Sequence, residues 1–213
     1  SLLAAPAGRT TLSGEGLQHQ DGSSHLVAAT IPSCRAYDPC YGYELAAIVR
    51  DGARRMLEAQ EDVFYYVTVM NENYAQPVLP AGAEDGILRG MYLVRHSREG
   101  GYPLPPHAGE GRMGAAEHTQ RVQLLGSGTI LREALAAADI LEREFGVAAD
   151  VWSVTSYSEL RRDGMETERW NTLNAASPQR ASYVEQCLSP TSGPIVAVSD
   201  YVRALPDLIR TWV

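Results

Sequence analysis

Apolar and polar positions alternate between strand-like and helix-like periods along most of the chain. Val63–Met70 (VFYYVTVM) is dense in β-branched and aromatic residues, which predicts a strand buried on both faces, as in a parallel sheet. Ahead of it, Ser33–Asp38 predicts a short strand. Pro39–Ala59 then predicts a helix, with Asp38 as its cap and Pro39 at its first position. Leu45, Ile48, Val49, Ala53 and Met56 share one face of that helix, while Arg50, Arg54 and Glu58 lie away from it. Further on comes a βαβ pattern: a strand at Arg121–Leu125, a turn at Gly126-Ser127-Gly128, a helix at Thr129–Phe145 and a strand at Asp150–Thr155. Leu131, Leu135, Ala138 and Leu141 line one face of that helix, and Gly146 stops it. A helix at Ser182–Leu188, a strand at Ile195–Ser199 and a helix at Tyr201–Trp212 continue the alternation. The repeated order predicts an α/β fold with a mostly parallel sheet.

The stretch from 95 to 119 is rich in Gly and Pro and follows neither period, so it reads as a linker or insertion. It separates an apparently truncated first domain, 1–94, from a second, 120–213. Ser1–Gly8 lacks an initiator Met, and it also lacks the basic start and apolar run of a signal peptide. The expectation is a chain that begins inside a longer polypeptide.

Composition narrows the possibilities. The 213 residues suit two small domains or one large one, and 45% apolar residues suffice for a core. No apolar run reaches the roughly 18 residues that a membrane-spanning helix needs. A net charge of −8 argues against nucleic-acid or anionic-membrane partners. All 18 basic residues are Arg. The absence of Lys excludes Schiff-base, P-loop and Ser–Lys chemistry within this sequence. Three Cys without a CxxC pair fit a reduced, cytoplasmic setting.

Several motifs invite chemistry. LLGSGTILREA places Gly126 and Gly128 between a strand and a helix, but Leu131 stands where a dinucleotide site has its third glycine, so a tight βα turn is the simpler reading. His96, His107 and His118 are equally spaced, yet the spacing suits neither one helical face nor zinc-ligand pairs, and they read as loop histidines. Ser127 lacks a GxSxG frame. Arg162-Asp163-Gly164 reads as a turn. More informative is RTTLSGEGLQHQDGSSH (Arg9–His25), which sets Glu15, His19 and Asp21 among glycines that allow close backbone approach to a ligand. A Glu beside a His suits acid–base work, although a loop with a capping Glu and an exposed His has the same pattern.

RTTLSGEGLQHQDG resembles the RTTLNGEGLQHEDGHSH motif of homodimeric pyruvate dehydrogenase decarboxylating subunits and, more distantly, the GEDGPTHQP motif of transketolases. The likeness continues through TIPSCRAYDPCYGYELAAIVRDG, VFYYVTVMNENYAQPVLPAGAEDGILRGMY, VQLLGSGTILREALAAADIL and DVWSVTSYSELRRDGMETERWN to SDYVRALPDLIRTWV. It implies the end of a transketolase-like pyrimidine-binding domain followed by a transketolase carboxy-terminal-like α/β domain that lacks its last segment. It further implies an enzyme with thiamine diphosphate and Mg²⁺ held between two subunits of a homodimer in the bacterial cytoplasm. Pyruvate loses carbon dioxide there, and the remaining two-carbon unit reductively acetylates a lipoyl group on the partner dihydrolipoyl acetyltransferase. By the same resemblance His19 positions substrate and moves protons, and Glu15 orients His19 or the cofactor surroundings. Asp21 and His25 belong to the substrate or cofactor neighbourhood. The main cofactor residues lie upstream, with no metal ligand in this chain. Ser23 and Gln20 depart from the family His and Glu. Two alternatives stand beside this reading: a non-catalytic fragment serving at most as a dimerisation or complex-contact module, and a transketolase-like enzyme for another 2-keto acid or a sugar.

Overall fold

The computed structural model describes residues 2–6, 21–70, 72–97 and 120–213. A first sheet holds three parallel strands in the order β1 (Leu2–Pro6), β3 (Phe64–Val69), β2 (Cys34–Tyr37). β3 is central, and Tyr65 and Val67 on it are buried, as its apolar composition predicts. Helix α1 (Ser24–Ala29) precedes β2, α2 (Gly42–Ala53) follows it, and α3 (Glu84–Arg89) follows β3. Tyr37, Ile48, Tyr65 and Ile87 form the core between this sheet and its helices.

The second sheet runs β4 (Met91–Arg95), β6 (Val147–Val154), β5 (Gln120–Gly126), β7 (Ile195–Val198). β5 is parallel to β6 and β7, while β4 is antiparallel to β6. Helix α4 (Ile130–Phe145) covers one face through Leu131, Ala134 and Ala138. Helices α5 (Tyr157–Leu173) and α6 (Tyr183–Leu188), with a 3-10 helix at Pro206–Trp212, cover the other through Leu160, Val184, Leu188 and Ile209. A parallel sheet needs both faces covered, and this one has them. Among the described residues no helix is long and apolar enough to cross a membrane.

Three local expectations change. The helix expected from Pro39 begins at Gly42, and Asp38 does not cap it. Instead the Asp38 N–H donates to the Thr155 carbonyl (2.8 Å) and its carbonyl accepts from Gly128 N–H (3.0 Å). Glu44 reaches back to accept from the Cys40 and Tyr41 N–H groups, at 2.5 and 2.9 Å. The helix buries Glu44, Ala47, Ile48 and Gly52 and leaves Val49 exposed; it passes into a π-helical turn at Arg54–Glu58. Arg162-Asp163-Gly164 is no turn but the middle of α5. A Cβ on Gly164 would lie 2.5 Å from the Trp212 ring, so glycine there lets the 3-10 helix pack against α5. The expected last helix, Tyr201–Trp212, shortens to the 3-10 segment.

Candidate functional site

The carboxyl ends of the two sheets face each other, and in open α/β sheets that is where ligands bind. Each parallel strand ends its run there, so the residues just beyond strand ends supply the polar groups. Asp38 follows β2 and joins three of those ends through the two backbone bonds already described and through its side chain. Thr68, near the end of β3, donates its hydroxyl to Asp38 Oδ1 at 2.5 Å. Tyr201, beyond β7, places its hydroxyl 3.3 Å from Thr68 Oγ1. Gly128, at φ +51°, turns β5 into α4, and a Cβ there would lie 2.7 Å from Asp38 Oδ2. The turn expected from the glycines is thus a close approach to a carboxylate.

His25 completes the cluster from α1. It is 3% exposed, and its Nε2 lies 3.1 Å from Thr68 Oγ1. Its ring stands edge-on to Tyr66 and Tyr201, with centroids 5.3 and 4.7 Å away. Four residues earlier, Asp21 Oδ1 accepts the N–H groups of Ser23 (3.1 Å) and Ser24 (2.9 Å), and its Oδ2 accepts the Ser24 hydroxyl. The Gly22 carbonyl accepts from Val202 N–H at 3.0 Å, tying this corner to the segment after β7. Beneath the cluster sits Tyr157, whose buried hydroxyl has no hydrogen-bond partner among the described residues. Burial first, and the Asp38 charge second, push that phenol above its ordinary range.

Of the residues expected from sequence, Asp21 and His25 fall together at this edge. Glu15 and His19 lie outside the described residues. The described flanks of their segment are informative: Pro6 pairs with Val69 at the carboxyl end of the first sheet, and Gly22, next to Asp21, bonds Val202 beyond β7 at the carboxyl side of the second. Asp38, Thr68 and Tyr201 were not anticipated as site residues. They come from three separate strand ends, so no local spacing joins them.

Two other polar groupings lie elsewhere. Glu44, fully buried, accepts from Tyr92 Oη (2.6 Å) and Ser153 Oγ (2.7 Å) in addition to its two backbone donors, and so bonds α2 to the second sheet. Asp150 on β6 accepts from Arg121 Nη1 (2.7 Å to each oxygen), Gln123 Nε2 (2.9 Å) and Ser97 N–H (3.1 Å). His96 Nδ1 is 3.3 Å from the same carboxylate, so this histidine is half-exposed yet partnered. His107 and His118 lie outside the described residues. A cleft of about 230 Å³ beside α5 is lined by Arg35, Arg89, Glu159, Arg162 and Asp163, whose charges pair with one another: Arg35 with Glu159 at 2.8 Å and Arg162 with Glu159 at 3.3 Å. Among the described residues no three His, Cys, Asp or Glu side chains are placed to hold a metal ion. Cys34, Cys40 and Cys187 are free thiols.

Residues 1–77 match the pyruvate dehydrogenase E1 component middle domain, and residues 110–211 match the transketolase-like TK C-terminal domain. The whole chain aligns with the pyruvate dehydrogenase E1 component of Pseudomonas aeruginosa at 55% identity over 212 residues, covering 22% of that protein. With the protein of the same name from Escherichia coli K12 it is 46% identical over 213 residues, again all of this chain and 22% of the relative. The chain therefore spans about a fifth of the length of the curated relatives it matches. Among solved structures, a transketolase variant from Pichia stipitis superposes with a TM-score of 0.57 at 13% identity, covering 98% of this chain and 27% of that one. The transketolase of Campylobacter jejuni gives 0.57 at 13% identity, covering 97% and 25%. At that identity the likeness concerns the fold.

Proposed function

The chain belongs to the pyruvate dehydrogenase E1 component family, and from that premise we propose that it forms part of an enzyme that decarboxylates pyruvate and passes the two-carbon unit to a lipoyl group. Sequence identity along the entire chain is the observation that carries this reading. The polar cluster at the facing sheet edges supports it, because that is where an α/β fold of this kind presents reactive groups. The division into a middle-domain piece at 1–94, a connecting stretch at 95–119 and a carboxy-terminal domain from 120 belongs to the same proposal. Within that division β4 reaches across to pair with β6.

His19 is proposed to position substrate and to move a proton at its oxygen, with Glu15 orienting the imidazole. Asp21, which accepts the N–H groups that open α1, is proposed with His25 to belong to the substrate or cofactor neighbourhood. Thiamine diphosphate and Mg²⁺ are the proposed cofactors of the whole enzyme, with their main binding residues proposed to lie outside this chain. The proposed assembly is a homodimer in the bacterial cytoplasm, with a lipoyl-bearing acetyltransferase as partner.

The test has two arms. Calorimetric titration of this chain with thiamine diphosphate and Mg²⁺ is expected to show no binding, and clear micromolar binding overturns the placement of the cofactor residues outside it. In the full-length protein, His19→Ala is expected to retain cofactor binding while pyruvate turnover falls about 100-fold. Unchanged turnover removes His19 from substrate positioning and proton transfer alike.

A further inference from the structure

The hydroxyl of Thr68 lies within hydrogen-bond distance of Asp38 Oδ1 at 2.5 Å, His25 Nε2 at 3.1 Å and Tyr201 Oη at 3.3 Å. The Tyr37 carbonyl stands farther off, at 3.4 Å. A threonine hydroxyl carries one proton and two acceptor lone pairs. The contact with the Asp38 carboxylate is the shortest, and two oxygens at that separation need a proton between them. That uses the only proton Thr68 has, and the longer approach to a neutral carbonyl does not compete for it. The contacts with the phenol and the imidazole must then be made by donors, so Tyr201 donates its phenolic hydrogen and His25 must carry a hydrogen on Nε2.

We infer that Thr68 fixes His25 as the Nε2–H tautomer and that His25, Thr68 and Tyr201 together act as positioning residues for the candidate site. Three chain segments meet at this one hydroxyl: α1 through His25, the end of β3 through Thr68 itself, and the segment beyond β7 through Tyr201. The edge-on packing of His25 between Tyr66 and Tyr201 leaves the ring little freedom to turn over and exchange its nitrogens. His25 lies in the first turn of α1, directly after the turn that Asp21 bonds, so the hold on His25 at Thr68 also fixes that turn against β3. A hydrogen held on Nε2 by Thr68 gives that ring nitrogen a fixed duty as donor. Angstrom-scale misplacement of reacting groups costs turnover far more than it costs binding, which makes this lock felt in the rate.

This inference rests on the proposed function, and one set of variants separates the two. A glutamine at 25 can put its amide nitrogen where Nε2 stands and still donate to Thr68, whereas an asparagine mimics only Nδ1 and cannot reach. The variants are made in the natural polypeptide that carries this sequence, with pyruvate-dependent turnover, KM and melting temperature recorded for each. His25→Gln is expected to hold kcat within about threefold, while His25→Asn and Thr68→Val lower it about tenfold or more with KM nearly unchanged and with the variants, though lower in melting temperature, still folded at the assay temperature. Equal behaviour of the Gln and Asn variants overturns the positioning role, as does a loss of kcat that merely follows a loss of folded protein. Ring-nitrogen NMR of the same histidine-labelled polypeptide, assigned by difference against His25→Gln, reads the tautomer without any turnover. An Nδ1–H or averaged ring overturns the inference. An Nε2–H ring in a protein that does not turn over pyruvate instead overturns the proposed function and leaves the tautomer standing.

Discussion

Glu44 in the seam between α2 and the second sheet, and Asp150 on β6, are both buried acids with every oxygen engaged, yet their partners differ in kind. Glu44 is met only by neutral donors, two backbone N–H groups and the hydroxyls of Tyr92 and Ser153. Burial dominates, and its carboxyl is pushed above the ordinary range despite those four bonds. Burial acts on Asp150 as well, but there the Arg121 guanidinium, the Gln123 amide and the Ser97 N–H outweigh it and hold the carboxyl below its usual value. Neutral donors satisfy the geometry of a buried acid; a cation is needed to keep its charge comfortable. The two sites also do different work. Glu44 joins elements of the first layer to the second sheet, whereas Asp150 joins two strands of one sheet to the residues flanking 98–119.

Removing either acid breaks the comparison most sharply. Glu44→Leu leaves two hydroxyls and two N–H groups facing an apolar side chain and is expected to cost about 4 kcal/mol of unfolding free energy. Chemical denaturation measures it, and a loss below about 1 kcal/mol would show that water reaches this seam. Asp150→Leu is expected to cost about 3 kcal/mol, because it strands the Arg121 guanidinium, which is partly exposed and recovers some hydration. The double variant Asp150→Leu with Arg121→Met should recover at least about half of that loss. No rescue would place the cost in packing.

Acidity sharpens the contrast further. A carboxyl whose pKa falls on folding stabilises the protein above its unfolded value and loses that contribution as pH drops through the folded one. Asp150 therefore weakens the fold as pH falls below the ordinary aspartate value of 3.8. A carboxyl whose pKa rises contributes fully below its unfolded value and loses that contribution as pH climbs to the folded one. For Glu44 the decline starts near the ordinary glutamate value of 4.5 and runs upward. Melting curves across this range should thus show a shallower acid limb in Asp150→Asn and a flatter upper limb in Glu44→Gln. Identical limbs in the two variants would mean that the charged and the neutral partners act alike.

The smallest effect carries the opposite sign. Tyr157 offers a third case, a buried hydroxyl with no hydrogen-bond partner among the described residues. Tyr157→Phe is expected to leave stability unchanged or raise it by about 1 kcal/mol, read from the same denaturation curves. A clear loss would reveal a bound water serving that hydroxyl.

Period and composition made most of this architecture legible. β3 could be read because aromatic and β-branched residues crowd it, and β5–α4–β6 because glycines punctuate a clean amphipathic run. Helix α5 escaped because it buries little more than Tyr157, Ser158, Leu160 and Gly164, and a polar RRDG sits at its centre. A signal was present: Ser156 accepts from Glu159 N–H at 3.1 Å, the S-x-x-E spacing of a helix start. The start of α2 was misplaced because Asp38, a good cap by type, is drawn instead to Thr155, Gly128 and Thr68, contacts that exist only once the sheets meet. For the same reason Asp21 and His25 could be picked from one motif, while the hydroxyl that organises His25 could not.

Asp150 has one more consequence. Ser97 on one side and Arg121 on the other are bound by the same carboxylate, so the two points where the chain departs from and returns to the sheet are fastened together. Both fastenings lie within the described residues. Because closing a longer connection between fixed ends costs little additional entropy, whatever is spliced between them can grow, shrink or be exchanged while β5 and β6 keep their register. A single acid thus turns this junction into a socket, where a lineage can graft new sequence, or an engineer a reporter, and the fold beneath has no need to change.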